Sequence, residues 1–264
     1  ADVAAVKSET PPEPPSVATR PPWPAGEREA RRRLDAFVSG EEQAGLLRYA
    51  ERRDRADLDG TSGLSPYFRF GMLSAREAVL RARLVEDEPL PAECRASIAA
   101  WVDELVWRDF YLDVLAAWPD VLVRSFRARL RNVPWREDEA GVAAWSAGRT
   151  GYPLVDAGLR QLAQTGWMHN RVRMVAASFL TKDLLVDWRR GERHFMEHLV
   201  DGDPASNNGG WQWAAGTGAD AAPYFRVFNP VLQGRRFDPD GDYVRRWVPE
   251  LRGIAGAAVH EPWT

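Results

Sequence analysis

The sequence predicts an all-α protein, and three observations support that prediction. Apolar residues recur at three- and four-residue spacing through several long segments. No segment of about four to eight residues alternates convincingly between apolar and polar side chains, as a half-buried strand would. The chain also contains neither the glycine-rich Rossmann fingerprint nor a P-loop, the two motifs typical of nucleotide-binding α/β folds. We therefore expect helices joined by loops.

The chain begins with a proline-rich segment, residues 1–26, whose composition is typical of an extended or disordered linker. The pattern becomes helical at Glu27 and places Ala30, Leu34 and Phe37 on one face before it ends at Gly40. A second helix is predicted from about Glu41 to Arg52. The predicted domain organisation is thus a linker over 1–26 and one helical domain over 27–264.

A run of small hydroxyl residues precedes the next helix. Thr61 and Ser62 come before Gly63, and Ser65-Pro66 has the form of an N-cap followed by a first helical residue. Such a run allows two interpretations, plain capping or an anion site built from hydroxyls and free N–H groups. Ser74 is predicted to cap the helix that follows.

The longest predicted helix covers residues 94–118. Its three- and four-residue spacing puts Trp101, Glu104, Trp107, Arg108 and Tyr111 on one face. Either this face carries a surface ion pair beside packed aromatic rings, or it lines a pocket in which Glu104 accepts hydrogen bonds.

Arginines are concentrated around Trp135. They are Arg124, Arg127, Arg129, Arg131 and Arg136. A cluster of this kind is either a solvated face or a strip that contacts phosphates.

Two helices are predicted between residues 153 and 186. The first covers 153–165, with Pro153 near its start and Gly166 as its stop. The second places Asn170, Arg173 and Met174 on one side. Further on, His194 and His198 have the i, i+4 spacing of a zinc pair, but no other histidine or cysteine lies near them, so no metal site is predicted.

The most unusual stretch is DGDPASNNGGWQWAAGTGADAAPYFRVFNP, residues 201–230. It has too little charge for a solvated loop and lacks the periodicity of a core helix. Asn207 and the glycines after it allow a close backbone approach, and Trp211 and Trp213 follow. Either it forms the wall of a cavity for a flat ligand, or it connects two helices through core tryptophans. A turn at 238–241 and a short helix come after it.

The totals exclude several classes of protein. No uncharged apolar run approaches the roughly 18–20 residues of a membrane span, and no signal peptide is visible. The single cysteine, Cys94, excludes an internal disulfide and favours a reducing cytoplasm. A net charge of −3 argues against extensive wrapping by nucleic acid while permitting a local basic face. Twelve tryptophans exceed the packing needs of the chain and favour stacking or electron transfer.

Four motifs resemble the helical FAD-binding domain of the DNA photolyase/cryptochrome family, and most strongly its bacterial class I cyclobutane pyrimidine dimer photolyases. They are TSGLSPYFRFG, WVDELVWRDFY, GRTGYPLVDAGLRQLAQTGWMHNRVRM and the 201–230 stretch. The resemblance covers residues 49 to 264 nearly without gaps. It implies FAD as cofactor and no metal.

The resemblance implies roles for individual residues. Those that would hold FAD are Tyr49, Thr61, Ser62, Leu64, Ser65, Trp101, Asn170, Arg173, Asp201, Asp203 and Asn207. Those that would receive the flipped pyrimidine dimer and its strand are Arg53, Glu104, Trp107, Arg108, Arg171, Met174 and Trp213. Glu104, Met174 and Asn207 would act in catalysis, with Asn207 facing flavin N5. Trp211, Trp188 and Trp135 match a relay for electrons between flavin and surface.

The implied activity is that of a deoxyribodipyrimidine photo-lyase: light-driven repair of cyclobutane dimers in UV-damaged DNA by electron transfer from reduced FAD. The alternatives are a cryptochrome-like blue-light sensor without repair, and an inactive fragment. Relative to the family, the N-terminal α/β domain, which holds the antenna chromophore, is expected to be absent, so no antenna chromophore is expected. The sequence also ends at HEPWT, where members of the family continue into a final segment. The intact family implies a monomer, whereas a helix face exposed by the missing domain predicts self-association.

Overall fold

The computed structural model describes residues 23–40, 45–220 and 226–263. Twelve α-helices lie in these ranges: α1 (Glu27–Ser39), α2 (Tyr49–Arg52), α3 (Ser65–Arg69), α4 (Ala75–Glu86), α5 (Ala92–Ala117), α6 (Glu139–Ser146), α7 (Pro153–Thr165), α8 (Asn170–Ser178), α9 (Trp188–His198), α10 (Pro204–Ala215), α11 (Pro230–Phe237) and α12 (Asp242–Trp247). No strand occurs in the same ranges, so the all-α prediction is confirmed. Most of the linker predicted over 1–26 lies outside the described residues.

The first of two hydrophobic clusters joins α1 to α5. Leu34 and Phe37 from α1 pack against Tyr67 of α3 and against Ile98 and Trp101 of α5. The Phe37 and Trp101 rings lie 5.2 Å apart between centroids. The face predicted for α1 is therefore the buried one, because its apolar residues repeat with the helical period.

The second cluster is centred on α7 and α8. Leu154, Leu159 and Leu162 of α7 are almost completely buried. The helix begins at Pro153 and ends where Gly166 takes a φ of 70°, which confirms both predicted ends. The α8 helix begins at Asn170 behind the cap formed by His169, whose ring Nδ1 accepts the N–H of Arg171. The first turn of α8 places the polar side chains of Asn170 and Arg173 in the site.

Helix α10 packs on both α5 and α8, and it shows that residues 204–215 of the 201–230 stretch are helical, although no helix was predicted there from the sequence. Asp203 caps the helix by accepting the N–H groups of Ala205 and Ser206 at 3.1 and 2.9 Å. Apolar periodicity is missing because α10 is covered on several sides, and only Gly210 among its twelve residues is exposed. A Cβ at Gly209 would lie 2.1 Å from the Tyr111 ring of α5.

Other boundaries differ from the sequence expectation. The helix predicted from about 41 to 52 is a 3₁₀ turn at Leu46–Arg48 followed by the short α2, and residues 41–44 lie outside the described ranges. The helix predicted to run to 186 ends at Ser178 in one π-helical turn, Phe179–Asp183. Helices α6 and α11 are too short for their periodicity to stand out in the sequence.

Candidate functional site

A cavity of about 290 Å³ opens between the α2–α3 connection, α5 and the first turns of α8 and α10. Ten of the residues predicted to hold a cofactor line it: Tyr49, Thr61, Ser62, Leu64, Ser65, Trp101, Asn170, Arg173, Asp201 and Asp203. A second cavity of about 150 Å³ contains the remaining one, Asn207, together with Met174 and Trp211. Both cavities are lined by Asn170, Arg173, Asp201, Asp203 and Ser206, so they adjoin each other.

The hydroxyls at one end of the larger cavity are not used for capping. Helix α3 begins at Ser65 itself, and Leu64 occupies the cap position without a side-chain hydrogen bond, so the predicted N-cap at Ser65 is wrong. Within the described ranges, the hydroxyls of Thr61, Ser62 and Ser65 make no hydrogen bond to protein. Their donors and acceptors therefore remain available to a polar ligand, which favours the binding interpretation over plain capping.

The ion pair between Arg173 and Asp201 lines both cavities. One terminal nitrogen of Arg173 lies 3.0 and 2.9 Å from the two carboxylate oxygens of Asp201. The Arg173 Nε donates to the carbonyl of Met168 at 2.7 Å, which fixes the guanidinium plane. Because the Asp201 carboxylate is only 3% exposed, the pair depends on this geometry, and removing one partner would leave a buried charge.

Asn207 is oriented by Glu192 of α9, to which no role was assigned from the sequence. Its Nδ2 donates to both the carbonyl and a carboxylate oxygen of Glu192, each at 3.0 Å. With Nδ2 occupied in this way, the Oδ1 of Asn207 is the atom free to accept a hydrogen bond in the second cavity. Burial raises the pKa of Glu192.

Helical spacing was the signal that could have revealed Glu192. It lies on α9 in line with Trp188, Gly191 and Phe195, at i, i+3, i+4 and i+7. Trp188, Gly191 and Phe195 are all buried, so a carboxylate between them faces inward rather than toward solvent.

The opposite wall of the larger cavity carries Glu104, Arg53 and Arg108. Arg53 and Glu104 form an ion pair at 2.7 Å, and both side chains remain about one-third exposed. The face predicted for the long helix is therefore a pocket wall that also contains an ion pair, so both interpretations of it apply.

Three other predicted substrate residues, Trp107, Trp213 and Arg171, are not among the residues that line the two cavities. Trp107 is 40% exposed and meets Tyr111 at 6.0 Å between ring centroids. Trp213 stacks on Phe228 at 5.9 Å, beneath the Arg226 guanidinium. Arg171 lines neither cavity.

Arg171 is instead held by Asp54, at 3.2 Å from its Nε and 2.7 Å from a terminal nitrogen. Its guanidinium also lies 4.5 Å from the ring centroid of Phe237. These contacts fix the direction of the side chain before any ligand arrives.

Two of the three relay tryptophans are buried, and the third is partly exposed. Trp211 and Trp188 are 2% and 0% exposed, whereas Trp135 is half-buried. Trp211 has ring contacts with Phe195 at 4.9 Å and with Trp145 at 5.9 Å. Trp145 is also buried, at 1% exposure, and was not assigned to the site from the sequence.

The paired histidines pack as aromatic rings. His194 lies edge-on to Trp145, and its ring centroid is 4.3 Å from that of His198. Over the described ranges, no three His, Cys, Asp or Glu side chains are grouped as a metal site would need. In those ranges, no helix is long and apolar enough to cross a membrane.

Comparison with known proteins places this site in a family. The family model for the FAD binding domain of DNA photolyase matches residues 101–264. The chain belongs to the DNA photolyase family. The photolyase resemblance stated from the motifs is thereby confirmed, as is FAD as the cofactor of the domain.

Several photolyases are similar to this chain over most of its length. The deoxyribodipyrimidine photo-lyase of Neurospora crassa is 51% identical over 248 residues, which cover 91% of this chain and 40% of the relative. The Escherichia coli K12 enzyme of the same name is 49% identical over 242 residues, covering 91% of this chain and 50% of the relative. The chain thus spans half or less of the length of these photolyases.

Solved photolyase and cryptochrome structures share the fold. A class III photolyase from Agrobacterium tumefaciens superposes with a TM-score of 0.84 at 45% identity, covering 92% of this chain and 48% of the other. A cryptochrome from Synechocystis superposes with a TM-score of 0.82 at 37% identity, covering 94% of this chain and 49% of the other. The fold is therefore shared by proteins of both names.

Proposed function

We propose that this photolyase-family chain splits cyclobutane pyrimidine dimers in DNA, using light and reduced FAD. The observation that supports this most directly is the pair of adjoining cavities. The larger one joins the FAD set to Glu104, Arg53 and Arg108, and the smaller one joins Asn207 to Met174. The cofactor and the substrate would thus lie in adjoining cavities, at the short separation that electron transfer requires.

The donor set of the larger cavity matches the chemistry of FAD. The free hydroxyls of Thr61, Ser62 and Ser65 suit phosphate oxygens and ribose hydroxyls. The Arg173 guanidinium, fixed by Asp201, would lie beside the electron-rich flavin ring and favour its reduced, anionic form. When bound, reduced FAD would supply an electron after absorbing light, because the excited cofactor is a strong reductant.

The Asn207–Glu192 contact supports a preference for reduced flavin. Because both acceptors on Glu192 hold the Asn207 Nδ2, the Oδ1 is presented as an acceptor. An N–H group exists at flavin N5 after reduction and not before it. Asn207 would therefore favour the reduced cofactor, with Glu192 as its positioning residue.

The substrate side would use Glu104 as a hydrogen-bonding group for the dimer and aromatic side chains as its walls. Trp107 offers an exposed ring and Trp213 a half-buried one, and Met174 lines the smaller cavity. A dimer stacks poorly in duplex DNA, so its extrusion costs only a few kcal/mol. Arg53, Arg108 and Arg171 would then contact the damaged strand.

The tryptophan set supports reduction of oxidised FAD by light. Trp211 lines the smaller cavity beside Asn207, and Trp188 is buried in the same core cluster. Trp135 packs against that cluster from the surface side. The three rings would pass electrons inward from solvent to the cofactor.

A single preparation tests the function. The purified protein should carry the absorption spectrum of a flavin, and under reducing light it should remove thymine dimers from UV-treated oligonucleotide. Glu104→Gln should lower repair while flavin content is preserved. A flavin-loaded protein that repairs no dimers would favour the light-sensing alternative, and a protein without flavin would contradict the proposal altogether.

The assembly state is part of the same proposal. Phe70, Leu80 and Leu84 are between 60% and 65% exposed around α3 and α4. Such a surface favours self-association at high concentration over the monomer expected of the intact family. Light scattering that finds a monodisperse, flavin-loaded monomer at high concentration would contradict this.

A further inference from the structure

One of the four arginines that line the larger cavity has no carboxylate partner. The other three form ion pairs, which are Arg53 with Glu104 at 2.7 Å, Arg173 with Asp201 at 2.9 Å and Arg108 with Asp109 at 3.3 Å. The fourth is Arg69, to which no role was assigned from the sequence. Arg69 forms no ion pair within the described ranges, so no carboxylate there balances its charge.

The carboxylates of the cavity wall are engaged with other groups. Besides Glu104 and Asp201, they are Asp54 and Asp203. Asp54 holds Arg171 at 2.7 Å, and Asp203 accepts two backbone N–H groups at the start of α10. A carboxylate that moved to neutralise Arg69 would therefore have to give up a contact that it already makes.

Arg69 is held where two walls of the cavity meet. It lies four residues after Ser65 on α3, which places both side chains on the same side of that helix. Its Nε donates to the carbonyl of Gly202 at 2.5 Å, and its guanidinium lies 5.8 Å from the ring centroid of Phe70. These contacts fix the direction of the guanidinium. Its two terminal nitrogens make no hydrogen bond to the part of the protein that the structure describes.

The residues predicted to hold FAD do not match the charge of this cofactor. Their charged members are Arg173, Asp201 and Asp203, which carry one positive and two negative charges. FAD contains a diphosphate, and both of its phosphate groups are negatively charged. Such an anion is costly to enclose unless a cation accompanies it. We infer that the terminal nitrogens of Arg69 bind this diphosphate and make the site select FAD over flavins that lack it.

The hydroxyls beside Arg69 favour a phosphate of the cofactor over a phosphate of DNA. Ser65 shares a side of α3 with Arg69, and both line the cavity together with Thr61 and Ser62. A guanidinium offers paired N–H groups to two phosphate oxygens, and hydroxyls can donate to the others. The groups predicted to receive DNA lie on other segments. They are Arg53, which follows α2, and Glu104 and Arg108 on α5.

This inference rests on the proposed function, in which FAD occupies the cavity, and an exchange equilibrium tests it. The full chain loaded with FAD is incubated with increasing riboflavin, which lacks the diphosphate and the adenosine. Displaced FAD is separated by gel filtration and quantified by its absorption. The ratio of the two dissociation constants gives the preference for FAD. Arg69→Gln should lower this preference by about ten-fold to a hundred-fold, as expected for lost hydrogen bonds between charged groups.

The ratio separates cofactor binding from support of the fold. If Arg69 only held the carbonyl of Gly202, its replacement would weaken FAD and riboflavin alike and leave the ratio unchanged. Arg69→Lys keeps the charge without the paired N–H groups, so it should lose less preference than Arg69→Gln. Arg76 supplies the matched control, because it is exposed on the neighbouring α4 and lines neither cavity. Arg76→Gln should keep the wild-type ratio.

Four results would overturn the inference. They are an unchanged ratio for Arg69→Gln, an equal change for Arg76→Gln, a wild-type protein that binds both flavins equally, and an FAD-saturated Arg69→Gln protein that loses affinity for a dimer-containing duplex while its ratio is unchanged. The last result would assign Arg69 to DNA. Failure of the proposed function alone gives a different result, since the protein would then select FAD through Arg69 and repair no dimers in light.

Discussion

Replacing Gly209 by alanine tests the packing of α10 against α5. A Cβ at this position would lie 2.1, 2.3 and 2.8 Å from three ring atoms of Tyr111. Carbon atoms pack best at about 3.5–4.0 Å, so the helices must separate or the ring must move. A Cβ added at Gly210, the next residue of α10, would have no neighbouring atom within 4 Å.

The two substitutions differ only in this overlap. Both replace a helical glycine by alanine, which favours folding by about 1 kcal/mol. That gain cancels when the variants are compared, which leaves an overpacking cost of about 1–3 kcal/mol for Gly209→Ala. At roughly 2–4 °C per kcal/mol for a chain of this size, Gly209→Ala should melt about 2–12 °C below Gly210→Ala.

Thermal unfolding followed by circular dichroism measures this difference, and urea unfolding gives it as a free energy. If Gly209→Ala is as stable as Gly210→Ala, the close contact between α5 and α10 is refuted. Replacing Tyr111 by serine in the Gly209→Ala background should recover part of the loss, because it removes the ring that the new methyl group meets.

Three further predictions concern single side chains. Burial lowers the pKa of His194 to about 4 from 6.5, so between these pH values the unfolded chain binds a proton that the folded chain excludes. The free energy of unfolding should therefore decrease as the pH is lowered from 6.5 to 4, by up to about 1.4 kcal/mol per pH unit. His194→Phe should reduce that slope in urea unfolding. Gln212→Leu leaves the N–H of Phe126 and the other hydrogen-bond partners of the Gln212 amide unpaired. It should lower the free energy of unfolding by about 1–3 kcal/mol for each buried group and speed proteolysis after Phe126. Asp156→Ala removes the acceptor of Thr150 N and Oγ1, both at 2.7 Å, and should lower the melting temperature by several degrees, corresponding to about 2 kcal/mol or more.

Each of these has a contradicting result. His198, an exposed neighbour of His194, supplies the matched control, and equal slopes for His194→Phe and His198→Phe would refute the role of burial. Unchanged proteolysis of Gln212→Leu would show that the loop is held by other contacts. A melting temperature of Asp156→Ala equal to that of wild type would mean that water replaces the carboxylate as the hydrogen-bond acceptor of the Thr150 N–H and hydroxyl.

Sequence reasoning recovered most of the cavity lining because the motifs that supply it are local. Ten of the eleven predicted cofactor residues line the larger cavity, although they come from five separate segments. Glu192 was missed because its partner, Asn207, lies on another helix; helical spacing places Glu192 on the buried face of α9 but does not show which residue it contacts. Trp145 was missed for a similar reason, since its contact with Trp211 joins α6 to α10.

The sequence by itself determined that the chain is helical, where α7 begins and ends, and which family it resembles. These properties depend on periodicity, on Pro153 and Gly166 as helix signals, and on runs of residues adjacent in the chain. Only the tertiary structure decided that residues 204–215 form a helix, that the hydroxyls near α3 are free, and that Glu192 holds Asn207. Each of these is set by contacts between segments distant in sequence, and burial on several sides removes the apolar pattern from which a helix is ordinarily inferred.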